Sequence, residues 1–190
     1  GAGAVAQVLV SACEGVGPKE GGEGLAPEFC LIDAPSFDLL IVFGGEAVSP
    51  MASGDRMRTL LGQALCGAEE VMVVGGAHFP LARHGFLGGL TLALPWHMAQ
   101  RYLSASPEHR YTDRLHCRTG KWWSAAGGLA VADALLAWLA SRVSAEPANA
   151  LAARWMIARP RASEERQPVP LGADAGSAVD PKVARTVALM

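Results

Sequence analysis

Val71 to Gly89 reads VMVVGGAHFPLARHGFLGG, and the fold turns on how its two halves are joined. Val71, Met72, Val73 and Val74 form a continuous apolar run, which is the pattern of a strand buried on both faces. Behind it, Phe79, Leu81, Ala82 and Phe86 recur at helical intervals, and the helix is expected to end near Gly85. The corner between the two is Gly75-Gly76. A sharp strand-to-helix turn holds one side chain over the sheet edge with helix N–H groups beside it, and in α/β enzymes that side chain is the nucleophile. Glycine has nothing to attack with, so the sequence keeps the shape of such an elbow without its chemistry.

Working outward, Asp55 to Cys66 carries Met57, Leu60, Leu61 and Leu65 on one face and reads as a helix feeding the Val71 strand. Ahead of it, Phe37 to Phe43 (FDLLIVF) is a buried strand stopping at Gly44-Gly45, a second place where backbone can approach closely. Gln7 to Ser11 and Phe29 to Ile32 are shorter strands on either side of the Gly-rich loop Gly15 to Gly24. Beyond the elbow, Leu90 to Leu94 is a strand, Trp96 to Tyr102 a short helix, and Tyr111 to Trp123 two strands about a turn at Thr119-Gly120. Leu129 to Val143 and Pro147 to Ile157 are helices, the first apolar all round and therefore packed on more than one side. Ala158 to Asp180, rich in Arg, Pro and Gly, is an arm running into a linker. Strands alternating with helices predict an α/β fold, a flavodoxin-like three-layer sandwich whose mostly parallel sheet contains Val8–Ser11, Asp38–Phe43, Val71–Val74 and Leu90–Leu94.

The 190 residues carry a net charge of −2, and 51% of them are hydrophobic. One domain plus a tail fits this length. So even a charge balance gives no bulk attraction to nucleic acid or to a membrane surface. No apolar run reaches the roughly 18–20 residues of a membrane span, and a cytoplasmic location is expected. Cys13, Cys30, Cys66 and Cys117 are scattered, with no C-x-x-C and no Cys/His cluster at zinc spacing. They read as reduced structural thiols, and neither a metal nor a cofactor is expected. The chain opens on Gly1-Ala2-Gly3 and stops at Met190 in a helix begun by Asp180 and Pro181, as expected of a piece of a longer chain.

Five stretches carry a family resemblance: DLLIVFGG (Asp38–Gly45), VVGGAHFPLARHGFLGG (Val73–Gly89), LPWH (Leu94–His97), SAAGGLAVADALL (Ser124–Leu136) and ERQP (Glu165–Pro168). In that order they resemble the class I glutamine amidotransferase-like domain of the ThiJ/PfpI superfamily. More narrowly, the chain is similar to the version joined to an AraC-type DNA-binding domain in GlxA-type transcriptional regulators. The resemblance implies a ligand-sensing domain over residues 1–168 that lacks the family's first strand and helix. It also implies a linker over 169–180 and, over 181–190, the start of a truncated helix-turn-helix domain. Where the family's enzymes read Cys-x-Gly-Ala, this chain has Gly75, Gly76, Ala77 and His78. The family's His-Trp pair is Pro95-Trp96 here, and its Thr-Cys pair is Ser124-Ala125. Each change removes a nucleophile or a base. The resemblance therefore implies a non-catalytic sensor of a small-molecule effector, an amino acid or a quaternary amine. Such a sensor would reach DNA only through the missing C-terminal domain and would work as a homodimer. The alternative is a cysteine-dependent hydrolase or amidotransferase of the same superfamily.

The expected ligand-binding residues are Gly44, Gly45, Gly75, Gly76, Ala77, His78, Trp96, His97 and Ser124. The N–H groups of the elbow are expected to point outward at the positive end of a helix dipole and to favour a carboxylate. Gly44 and Gly45 form the opposite wall, and Trp96, His97 and Ser124 add an apolar surface and polar handles. Gly75→Val is then expected to fill the pocket while leaving the fold largely intact. Cys66-Gly67-Ala68 imitates the missing motif, but Cys66 ends a helix instead of following a strand. His78, His84, His97, His109 and His116 lack metal-ligand spacing, and only His78 and His97 fall near the site. Trp122 and Trp123 read as core residues, and Arg154, Arg159, Arg161 and Arg166 as a solvated face and arm without a recognition helix.

Overall fold

The computed structural model describes residues 10–11, 29–30, 36–44 and 54–168. In chain order the elements are β1 (Val10–Ser11), β2 (Phe29–Cys30), β3 (Phe37–Gly44), α1 (Asp55–Gly67), β4 (Ala68–Gly75), α2 (His78–Arg83) and β5 (Thr91–Ala93). They continue with α3 (Trp96–Ala105), β6 (Arg110–Thr112), β7 (His116–Thr119), β8 (Trp122–Ala125), α4 (Leu129–Arg142) and α5 (Ala145–Arg154).

β4 is the axis of the molecule. It lies between β3 and β8 in a four-stranded sheet ordered β3-β4-β8-β7, parallel to both neighbours, while β7 returns antiparallel along β8. Val71, Met72 and Val73 are fully buried, as the unbroken apolar run requires; each such side chain contributes roughly 1.5–3 kcal/mol through burial. Successive side chains go to opposite faces. Val71 and Val73 pack with Leu65 of α1, Leu81 of α2, and Met98 and Tyr102 of α3. Met72 and Val74 pack with Trp123, Ala125 and Ala134 of α4. β3 follows the same alternation, with Leu40 and Val42 on the first side and Leu39 and Ile41 on the second. Helices thus cover both faces of the sheet, in three layers, and α5 backs α4 through Leu136, Ala148 and Ala152.

The membership of the sheet differs from the expectation. β5 does not join β4: it pairs in parallel with β6, and β8 takes the place beside β4. β1 pairs in parallel with β2 and, among the described residues, has no pairing with β3. The reason lies in tertiary hydrogen bonding that no local pattern carries. The Ala93 N–H donates to the Ser124 hydroxyl at 2.8 Å, and the Cys117 thiol and Thr119 hydroxyl donate to the Thr91 carbonyl at 3.2 and 3.4 Å. Side chains of the hairpin therefore hold β5 where a backbone ladder was expected. The stretch from Tyr111 to Trp123 also holds more than two strands, because β6 precedes the β7–β8 hairpin. The hairpin turns at Gly120, whose φ of +61° suits glycine.

Residues 158–168 form an arm laid back across the molecule. The Leu115 N–H donates to the Glu165 carbonyl at 2.9 Å and the Gln167 N–H to the Asp113 carbonyl at 2.8 Å. Arg161 reaches Asp133, a carboxylate of α4 that is 2% exposed, through its backbone N–H at 2.9 Å and its guanidinium at 2.7 and 2.8 Å. The expected linker and the helix begun by Asp180 lie outside the described residues. Among the described residues no helix is long and apolar enough to cross a membrane.

Candidate functional site at the strand ends

Parallel α/β sheets offer a crevice beyond the carboxyl ends of their strands. Here β3, β4 and β8 deliver Gly44, Gly75-Gly76-Ala77 and Ala126-Gly127-Gly128 to that edge. Gly44 and Gly75 are in register across the β3–β4 ladder. The elbow is present, with Gly75 at φ +61° and Ala77 as the N-cap of α2.

Its hydrogen bonding departs from the outward-facing cradle that the sequence suggests. The Gly76 N–H donates to the Gly44 carbonyl at 2.7 Å, and the Ala77 N–H to the Val74 carbonyl at 3.4 Å. Both donors are spent inside the fold, and α2 is a six-residue helix with little dipole behind it. The glycines are close-approach residues. A Cβ on Gly44 would stand 2.6 Å from the Gly76 carbonyl carbon and 2.8 Å from the Ala77 Cα, with the Ala77 nitrogen nearer still. A Cβ on Gly75 would stand 2.7 Å from the Gly44 oxygen, at a positive φ that side chains resist. The expectation that Gly75→Val spares the fold is therefore corrected: the space it would fill belongs to the backbone of β3.

The other expected site residues divide. Gly45 lies outside the described residues. His78 is fully buried; its Nδ1 is 2.7 Å from the Gly75 carbonyl, its ring meets Tyr102 edge-on, and its Nε2 has no partner. Burial lowers its pKa to about 4, opposed by the hydrogen bond to Gly75, so the ring is neutral with the proton on Nδ1. It braces the elbow from beneath. Ser124 is also buried, its hydroxyl accepting from Ala93 and sitting 3.1 Å from the Cys117 sulfur, so it ties β8 to β5. Trp96 and His97 open α3, half-buried and exposed respectively, with their rings 5.5 Å apart. Pro95, just before them, lies 3.5 Å from where a Cβ on Gly127 would be, which sets this corner beside the start of α4.

Three features of the crevice went unread in the sequence. The backbone N–H groups of Gly127, Gly128 and Leu129 have no hydrogen-bond partner among the described residues, and α4 behind them runs for 14 residues. Phe43 and Leu129, at the ends of β3 and the start of α4, are 67% and 73% exposed. Gln167 pins the arm to the β5–α3 corner: its side-chain oxygen accepts from the Trp96 N–H at 2.9 Å, and its amide donates to the carbonyls of Leu94 and Arg114 at 3.0 Å. A Gln-Pro pair after the mixed-charge stretch Glu164-Glu165-Arg166 carries no periodic signal that would announce this role.

Neither thiol with a described side chain stands at the elbow. Cys66 is exposed near the end of α1, on the far side of β4. Cys117 donates to the Thr91 carbonyl, and burial pushes its pKa up against the lowering effect of Ser124. A cavity of about 700 Å³ also lies away from the elbow, between β6 and β7.

No protein-family model matches the chain. Over 142 residues it is 30% identical to the HTH-type transcriptional regulator ArgR of Pseudomonas aeruginosa, a match covering 75% of this chain and 43% of that protein. The chain spans less than half the length of the curated relatives it matches. Among solved structures, a ThiJ/PfpI family protein from Pseudomonas syringae superposes with a TM-score of 0.68 at 17% identity, covering 96% of this chain and 72% of that one. An AraC family transcriptional regulator from Pseudomonas putida superposes with a TM-score of 0.62 at 18% identity, covering 78% and 80%. Elbow, layered sheet and glycine-lined strand ends accordingly make this chain a domain of the ThiJ/PfpI (DJ-1) fold, related in sequence to HTH-type transcriptional regulators.

Proposed function

We propose that this chain is the non-catalytic effector-sensing domain of an AraC-family transcriptional regulator. The feature that supports the reading is Gly75: it stands where the family resemblance puts the nucleophile, it has no side chain, and a Cβ there would meet the Gly44 carbonyl oxygen at 2.7 Å, in a chain whose relatives are HTH-type regulators.

The effector, an amino acid or a quaternary amine, sits over the ends of β3, β4 and β8. Its carboxylate is served by Gly127, Gly128 and Leu129 at the start of α4, a helix long enough to contribute a dipole. Trp96 and Phe43 offer aromatic faces to its cationic end, worth about 0.5–2 kcal/mol. Gln167 supports a route outward, because the loop that would feel the ligand and the arm leading to the rest of the protein share its amide. DNA is bound by a separate domain beyond the arm, and the complete regulator is a homodimer on paired half-sites.

Calorimetric titration of the complete protein with amino acids and betaines tests this reading. Saturable binding of one compound, weakened by Gly127→Val, is the expected result. The enzymatic alternative requires an activated thiol, so fast stoichiometric labelling of one cysteine by a thiol-selective electrophile at neutral pH would overturn the proposal.

A further inference from the structure

The cavity of about 700 Å³ between β6 and β7 falls in the size range of small-molecule sites. Its wall holds three arginines, Arg110, Arg114 and Arg118, together with Tyr111 and Thr112, and no carboxylate. Several other arginines of the described surface are ion-paired: Arg142 with Asp38 and Glu69, Arg159 with Glu165, Arg161 with Asp133, Arg166 with Asp113. Asp113, which adjoins Arg114 in sequence, is engaged by Arg166, and the exposed Glu164 acts on Arg114 only at Coulombic range, without forming an ion pair. Arg118 is held in place by Glu70 and by the face of Trp123, 5.1 Å from its guanidinium carbon. Arg110 and Arg114 have no ion pair among the described residues. The floor is neutral, formed by the Cys117 thiol donating to the Thr91 carbonyl. The arginines come from β6, from the connection to β7, and from β7 itself, so the guanidinium groups approach one concavity from separate backbone segments.

We infer that this groove is a binding site for a small dianion, a dicarboxylate or a phosphate-bearing molecule, held by Arg110 and Arg114 with Arg118 at the rim. Guanidinium forks match carboxylate and phosphate oxygens in pairs. Thr112 stands where a hydroxyl can complete the anion's shell. A concave pocket suits a compact anion better than the extended backbone of a duplex. The site lies at the start of β5 and β6, where Thr91 and Arg110 are in register, away from the crevice of the strand ends, and it does not depend on the regulator reading.

Isothermal titration of the complete protein with succinate and with inorganic phosphate, at constant ionic strength and with acetate and chloride as controls, tests the site. Saturable one-site binding of at least one dianion is expected, weakened about tenfold by Arg114→Gln and by Arg110→Gln, the size of one lost charge-assisted hydrogen bond. Succinate binding without phosphate binding would assign a dicarboxylate, and the reverse a phosphate-bearing molecule. Arg154→Gln should leave the affinity unchanged, and unaltered thermal midpoints should show that the variants fold. No saturable heat with either dianion, equal binding of acetate or chloride, or affinity insensitive to both variants would each overturn the site. Loss of duplex-DNA retention in the variants without any small-anion binding would reassign the arginines to a nucleic-acid backbone and also overturn it.

Discussion

The glycine at position 44 is more constrained than the one at the elbow it supports. Its missing Cβ lets the carbonyl of β3 accept from Gly76 at 2.7 Å while the elbow backbone packs against it. Gly44→Ala should therefore cost at least about 3 kcal/mol in urea denaturation, the upper end for overpacking, because rigid backbone rather than a mobile side chain is in the way. A drop under about 1 kcal/mol would show that the two loops separate easily. His78 makes a second prediction at this scale. Its folded pKa of about 4 lies below the ordinary 6.5, so between those values the unfolded chain holds the extra proton. Stability is full above pH 6.5 and falls as the pH drops toward 4, by as much as about 3 kcal/mol in all. His116, also lowered by burial, acts in the same direction. His78→Asn keeps a donor for the Gly75 carbonyl but does not titrate, so its urea midpoint should change less between about pH 7 and about pH 5 than that of the parent protein. An identical pH profile would place the coupling elsewhere. None of this is legible in the residue string: the closeness of His78 to the elbow in number suggests a ligand-lining role, whereas the inward turn of its ring is set by Tyr102 and the packing of α3.

At the scale of elements, sequence periodicity was a good guide to what forms and a poor guide to what pairs. The buried run Val71–Val74, the Leu face of α1 and the apolar α4 all appear where the pattern places them. Pairing partners depend on groups such as the Ser124 hydroxyl, which draws β5 to the hairpin, and a serine three residues before a glycine pair says nothing of that. The arm was equally opaque, because Arg161 and Asp133 are 28 residues apart and meet only when α4 has docked. Arg161→Ala would leave a carboxylate that is 2% exposed without its cation. We expect a loss of about 3 kcal/mol, toward the low end for breaking a buried pair since the guanidinium is partly solvated. Hydrogen exchange should show the arm amide of Gln167 losing protection in this variant. Unchanged protection would mean that the Gln167 side chain alone holds the arm.

For the whole molecule, the resemblance that five short motifs carried has become a fold, while the quaternary prediction is still to be measured. Sedimentation of the complete protein at micromolar concentrations should give a dimer if the proposed function holds; a monomer throughout that range would argue against paired half-sites. The return of the arm has a further consequence, for synthesis. The cation for Asp133 and the amide for Leu94 and Trp96 are supplied by residues 161 and 167, close to the end of the described chain. A nascent chain holding every described strand and helix still lacks these partners until the arm has cleared the ribosome. The sheet can assemble early, but a buried carboxylate stays uncompensated until then. The arm is thus also the last of the described segments to close this domain, so whatever is encoded beyond the arm begins to emerge just as the domain becomes complete.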